Sequence, residues 1–140
     1  MKPIRYGFGA TCPGATFDEA VQRVTEALKA EGFGVLTEID VQATLRKKLG
    51  AEFRPYVILG ACNPPLAHHA LSAEPEIGLL LPCNVVVRET DTSAIEVAIG
   101  DPKAMFAMVD NDKVAPVAED VEHRLRRVLE NVASEKQPPS

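Results

Sequence analysis

The chain has 140 residues, a length that suits one domain around one core. Apolar residues make up 46%, which excludes a disordered chain, and with no tryptophan and 5% aromatics the core must be built from Val, Leu, Ile and Ala. A net charge of -5, with the basic clusters Arg46-Lys47-Lys48 and Arg124, Arg126 and Arg127 lying beside acids in helical patterns, argues against nucleic acid and anionic membrane surfaces as partners.

Ile4, Tyr6 and Phe8 alternate over residues 3–10 and predict a first strand, weakened by Gly7 and Gly9. A turn follows over Thr11 to Ala15. Thr16 and Glu19 then form a capping box ahead of Phe17, Ala20, Val21, Val24 and Leu28, which recur at helical spacing until Gly32. Phe33 to Ile39 reads as a strand. Asp40 caps a short helix carrying Val41, Leu45 and Leu49, which Gly50 ends.

Tyr56 to Gly60 is a continuous apolar run suited to a central strand. Asn63 is placed to cap a helix with Pro64 at its first position, running to about Ser72. Ile77 to Glu89 reads as a long strand region. Pro82 inside it implies an edge strand, a bulge or two strands. Asp91 to Ser93 is a turn, and Ile95, Val97 and Ile99 alternate as a half-buried hairpin partner. Asp101-Pro102 opens a further short helix carrying Met105, Phe106 and Val109. Pro116 starts the last helix, whose buried stripe is Val117, Val121, Leu125, Val128 and Val132.

These elements predict an α+β fold: a mixed, mostly antiparallel sheet with two long helices, 17–31 and 117–133, on one face, plus short helices. Residues 1–133 form a single domain in this reading, and 134–140, with two prolines and nothing apolar, form a flexible tail. The amino terminus has no apolar stretch of the signal-peptide kind, and no run of about 18 apolar residues exists. Three cysteines are an odd number and imply no disulfide framework. The expectation is a cytoplasmic protein without membrane partners.

The residues most suggestive of chemistry are two Cys-Asn dipeptides, Cys62-Asn63-Pro64-Pro65 and Pro82-Cys83-Asn84, each at the end of an apolar run and beside proline. With Gly60-Ala61 before the first, Ala67 and Ala70 after it, and Gly78-Leu79-Leu80-Leu81 before the second, they resemble the domain of unknown function 302 family. Phe17-Asp18-Glu19-Ala20 and Asp101-Pro102 with Met105 add to the likeness, which spans about residues 14–132. The resemblance implies an α+β fold related to that of the TATA-box-binding protein, in single copy and often dimeric. It implies no activity, and a shared fold is no evidence for DNA binding. The positions it carries over are Cys62, Asn63, Pro64, Pro82, Cys83 and Asn84, without assigned roles. Cys12 lies outside the motif.

A thiol just ahead of a capped helix gains thiolate character from the helix amino terminus. Pro64 and Pro65, however, remove two amide donors from that turn, and no Lys or Arg lies within five residues of Cys62. Cys62 and Cys83 do not form a C-x-x-C pair, although adjacent strand ends would let them meet if their Cα atoms fall within about 7 Å. His68, with both thiols, is a weak metal candidate, but no second closely spaced pair supports it. Asp110-Asn111-Asp112 is a turn rather than a calcium loop. No phosphate loop or hydrolase elbow occurs, and no cofactor is implied.

Three functional readings remain open. The first is a small-molecule binding or sensing module, a homodimer, with a pocket lined by both Cys-Asn motifs and walled by Tyr56–Leu59 and Leu79–Leu81. In it, a second copy covers the edge left by the strand that Pro82 breaks. The second is a thiol-dependent enzyme or thiol carrier with Cys62 as nucleophile and Cys83 as its partner. In the third, both motifs are structural turns whose asparagines cap backbone groups.

Overall fold

A computed structural model describes residues 1–134. The chain runs β1 (Gly7–Thr11), α1 (Phe17–Ala30), β2 (Gly34–Asp40), α2 (Val41–Leu49), β3 (Tyr56–Cys62) and α3 (Pro64–Ala73). A 3-10 turn (Pro75–Leu80) follows, then β4 (Cys83–Glu89), β5 (Ile95–Gly100), α4 (Pro102–Phe106), a second 3-10 turn (Ala107–Val109) and α5 (Ala115–Ala133). The tail expected over 134–140 lies outside the described residues except for Ser134, which caps α5 in extended conformation.

The helices start where side chains can satisfy their free amides. In α1 the Glu19 N–H donates to Thr16 Oγ1 at 3.2 Å, and the Thr16 N–H donates back to Glu19 Oε1 at 3.1 Å. These bonds, the backbone one first, hold the Glu19 carboxyl below its ordinary range. Asp40 caps α2 through the Ala43 N–H at 2.9 Å, and Asp101 caps α4 through the Lys103 N–H at 3.0 Å. Gly50 closes α2 in the left-handed conformation, with φ of 63°.

The five strands lie in the order β1-β5-β4-β3-β2, and every neighbouring pair is antiparallel. The sheet is therefore not mixed: each connection between adjacent strands returns along the opposite direction. Two strand starts lie well away from those expected, while β3 runs on to Cys62 rather than ending at Gly60. β1 begins at Gly7 rather than residue 3, because β5 stops at Gly100 and turns into the α4 cap, leaving Ile4 and Tyr6 no strand to pair with. Tyr6 still accepts the Asp101 N–H at 2.9 Å.

The stretch 77–81 is not strand, because β3 ends opposite it: Ala61 pairs with Cys83, and beyond Cys62 the chain leaves the sheet for α3. Pro82, after a cis peptide bond, sits at the entrance to β4. Its ring packs where a side chain at residue 60 would lie: a Cβ on Gly60 would be 2.8 Å from Pro82 Cγ and would clash with Thr37 Oγ1. β4 is also not an edge. It lies between β3 and β5, and the open edges are β1 and β2.

Burial alternates along the strands. Val57, Leu59, Val85, Val87, Val97 and Ile99 face α1 and α5, and each is no more than 3% exposed. From the helices come Val24, Leu28, Leu125 and Val128, all at 0%. Each such side chain contributes roughly 1.5–3 kcal/mol on burial. Both long helices thus cover one face, as their apolar stripes anticipate, and the buried side chains form one continuous cluster. Among the described residues no helix is long and apolar enough to cross a membrane.

Candidate functional site

The first Cys-Asn dipeptide ends β3 and the second begins β4, so the antiparallel register brings them to the same end of the sheet. There the strands stop short, and α3, the first 3-10 turn and α5 close over the gap. The result is a cavity of about 310 Å³. Cys62, Asn63, Pro82 and Cys83 line it with Phe33, Ala61, Leu66 and Ala70, and Val117 and Val121 of α5 complete its wall. The exposed Leu36 and Leu71 stand among its lining residues. Among the described residues no charged side chain contributes to the wall.

Asn63 is the one buried polar residue among those described, at 7% exposure. Its Oδ1 accepts the Leu66 N–H at 3.4 Å, capping α3, and its Nδ2 donates to the Glu31 carbonyl at 3.4 Å. The same carbonyl accepts from Arg124 at 3.1 Å. Gly32, in the left-handed region at φ 86°, brings the chain close enough that a Cβ there would be 2.9 Å from Asn63 Nδ2. The amide is therefore committed to joining the carboxyl end of α1 to the start of α3, as capping chemistry at Asn63-Pro64 suggested.

Cys83 faces the helices beside Val85 and is largely enclosed. Burial pushes its thiol up to about 11, and the nearby Cys62 adds to the shift. At neutral pH Cys83 is thus a protonated, apolar wall group rather than a thiolate. All three cysteines are free thiols. Cys12 is buried away from this site, at 2% exposure, and receives an N–H of Arg23 at 3.4 Å.

Three of the sequence-derived expectations fall elsewhere. Pro64 is exposed at the first position of α3, outside the cavity wall. Asn84 points to the other side of β4 and lines a second cavity of about 400 Å³, with Tyr6, Gly7, Ala98, Gly100 and Met105 among its walls. His68 is exposed on α3, and among the described residues no three His, Cys, Asp or Glu side chains gather as a metal site. The walls are also not those expected. Tyr56–Leu59 stay in the sheet, Leu79 is 85% exposed, and only Leu81 of its run reaches the first cavity.

Sequence reasoning passed over Phe106, the residue besides Cys83 that lines both cavities. Its place in the apolar pattern of α4 was visible, but nothing local marks the packing of α4 beside the start of β4. Val117 and Val121 were legible as core and prove to be wall as well.

The basic cluster of α5 is neutralised in place. Arg124 pairs with Asp120 at 2.8 Å, Arg126 with Glu122 at 3.3 Å, and Arg127 with Glu31 at 2.8 Å. Arg126 also stacks over the Phe8 ring at 4.3 Å.

Residues 9–132 match the family described as "Domain of unknown function DUF302". The crystal structure of an uncharacterised conserved DUF302 protein from Bacillus stearothermophilus is similar to this one, with a TM-score of 0.83 and 30% sequence identity. The likeness covers 91% of this chain and 98% of that one. No curated protein matches the chain.

Proposed function

For this chain, which belongs to the DUF302 family, we propose a small-molecule binding or sensing module whose ligand is small, neutral and apolar and fills the cavity between the two Cys-Asn motifs. The observation that carries this reading is the apolar wall of the 310 Å³ cavity. At about 30 Å³ per water, that space equals roughly ten heavy atoms. A carboxylate or phosphate buried there would meet no compensating charge and would lose several kcal/mol of hydration, on the order given for unpaired buried ions. Apolar cavities of this kind take up apolar guests.

The state of Cys83 weighs against its serving as the second thiol of a thiol enzyme. A thiol held at about 11 is a poor resolving partner at neutral pH, so Cys83 serves as soft lining. The committed amide of Asn63 fits the structural reading for that one residue. It leaves the cavity itself unexplained.

The test is thermal unfolding with 1-hexanol as probe, on the native chain and on Ala67→Phe, which fills the cavity from α3. At a hexanol concentration near 100 times its Kd, the native chain gains about 2.7 kcal/mol and its Tm rises by several degrees. The filled variant shows no such gain. An identical response of both chains would refute the reading.

A homodimer remains part of the proposal, with its surface moved. β4 has no edge to offer, whereas β2 is an open edge carrying Leu36 at 68% and Ile39 at 49% exposure. An apolar open edge invites pairing with a second strand, and two copies of β2 related by a two-fold axis pair antiparallel with themselves.

A further inference from the structure

The two cavities are neighbours at one end of the sheet. Cys83 and Phe106 line both, so these two side chains stand where the cavities meet. The first cavity, called inner below, has an almost wholly apolar wall, while the second, called outer, carries Asn84 in its wall. Asn84 is exposed, and its amide makes no hydrogen bond within the described residues, in contrast to the committed amide of Asn63. Among the described residues no Asp, Glu, Lys, Arg or His lines either cavity. A flat floor adjoins Asn84, because Gly7 pairs directly with Gly100 and neither places a side chain over the sheet.

We propose that the two cavities hold a single ligand, an unbranched neutral amphiphile, with its tail in the inner cavity and its polar head beside Asn84 in the outer one. This rests on the reading of the inner cavity as an apolar binding site and specifies the ligand's class. The tail is apolar because the inner wall offers it nothing else. The head is uncharged because no ion faces it, and it donates or accepts hydrogen bonds because Asn84 does both. An alcohol, a primary amide or a ketone meets these conditions, and a fatty-acid carboxylate or an alkylammonium does not. The middle of the chain passes between Cys83 and Phe106. Gly100 keeps the outer floor open: a Cβ there would already lie 3.4 Å from the Met105 sulfur.

The experiment is a calorimetric titration of the native chain with 1-alkanols from butanol to dodecanol, repeated on Asn84→Ala and Phe106→Trp. Each methylene raises affinity roughly fourfold while apolar wall remains to be covered. Asn84→Ala weakens long alkanols by about fivefold, the loss of one hydrogen bond, and leaves butanol unchanged because its head does not reach the outer cavity. Phe106→Trp adds bulk where the cavities meet and ends the rise in affinity at a shorter chain. Decanoate binds at least tenfold more weakly than decanol.

If short alkanols bind but the rise stops at the same length in native and Phe106→Trp chains, and Asn84→Ala changes nothing, the single-ligand proposal is overturned while the apolar site survives. If no alkanol binds at any length, both fall. If decanoate binds as well as decanol, the neutral-head assignment is overturned.

Discussion

The two asparagines show how one dipeptide takes two roles. Asn63 is buried and holds Leu66 N–H and the Glu31 carbonyl, whereas Asn84 is exposed with its amide free among the described residues. Asn63→Ala removes a helix cap and leaves the Glu31 carbonyl with one donor fewer, so a loss of roughly 1–2 kcal/mol in urea unfolding is expected. Asn84→Ala should stay within about 0.5 kcal/mol of the native chain. The sequence marked both residues equally. It placed Asn63 at a helix cap, because Pro64 follows it, but it carried no sign of Glu31, which lies on another element. Gly60 was equally opaque, since the Pro82 ring and Thr37 that exclude a side chain there come from two different segments.

The Cys83 thiol makes a further residue-level prediction. Its folded value, about 11, lies above that of a free thiol, so the folded state holds its proton where the unfolded state has lost it. Stability is therefore unaffected by this group below about pH 8.5 and falls as pH rises from there to 11, by roughly 3 kcal/mol in total. Subtracting the same curve for Cys83→Ala isolates the contribution of this thiol. The difference should decline over that window, and a flat difference would show that Cys83 is solvated.

Among the elements, the helices were the most legible, because their ends are written locally. Thr16 with Glu19, Asp40 with Gly50, Asn63 with Pro64 and Asp101 with Pro102 each announce a helix start or stop that the structure contains. Thr16→Ala should lower stability by about 1 kcal/mol, measured by urea unfolding, because the Glu19 N–H loses its acceptor and Glu19 alone remains of the reciprocal pair. The strands were legible as apolar alternation but not in extent. Whether residue 4 or residue 79 belongs to a strand depends on whether a partner strand is present beside it, and neither has one. Pro82 misled for the same reason. Proline is excluded from the middle of a ladder, but at the entrance to a central strand it breaks no pairing.

At the scale of the molecule, the α+β class and the placement of both long helices on one face follow from apolar stripes that need a common surface. The strand order does not follow from local pattern, and the order decides which edges are open. β2 is one of them, and on sedimentation the chain is expected to run as a dimer that Leu36→Lys converts to monomer. A native chain that sediments as a monomer at micromolar concentration would remove the dimer from the account. The cavity is likewise a property of the whole. It exists because β3 and β4 end at the same level, and α3 and α5 roof the gap without filling it.

The most direct test of that cavity as an apolar binding site is the alkylation rate of Cys62 and Cys83 in the folded protein, followed residue by residue by mass spectrometry, with and without saturating 1-hexanol. The expected result is that Cys83 reacts far more slowly than a free thiol at pH 8 and that hexanol slows the reaction of Cys62 at least tenfold. Rates for both cysteines that hexanol leaves unchanged, with Cys83 as reactive as a free thiol, would contradict it.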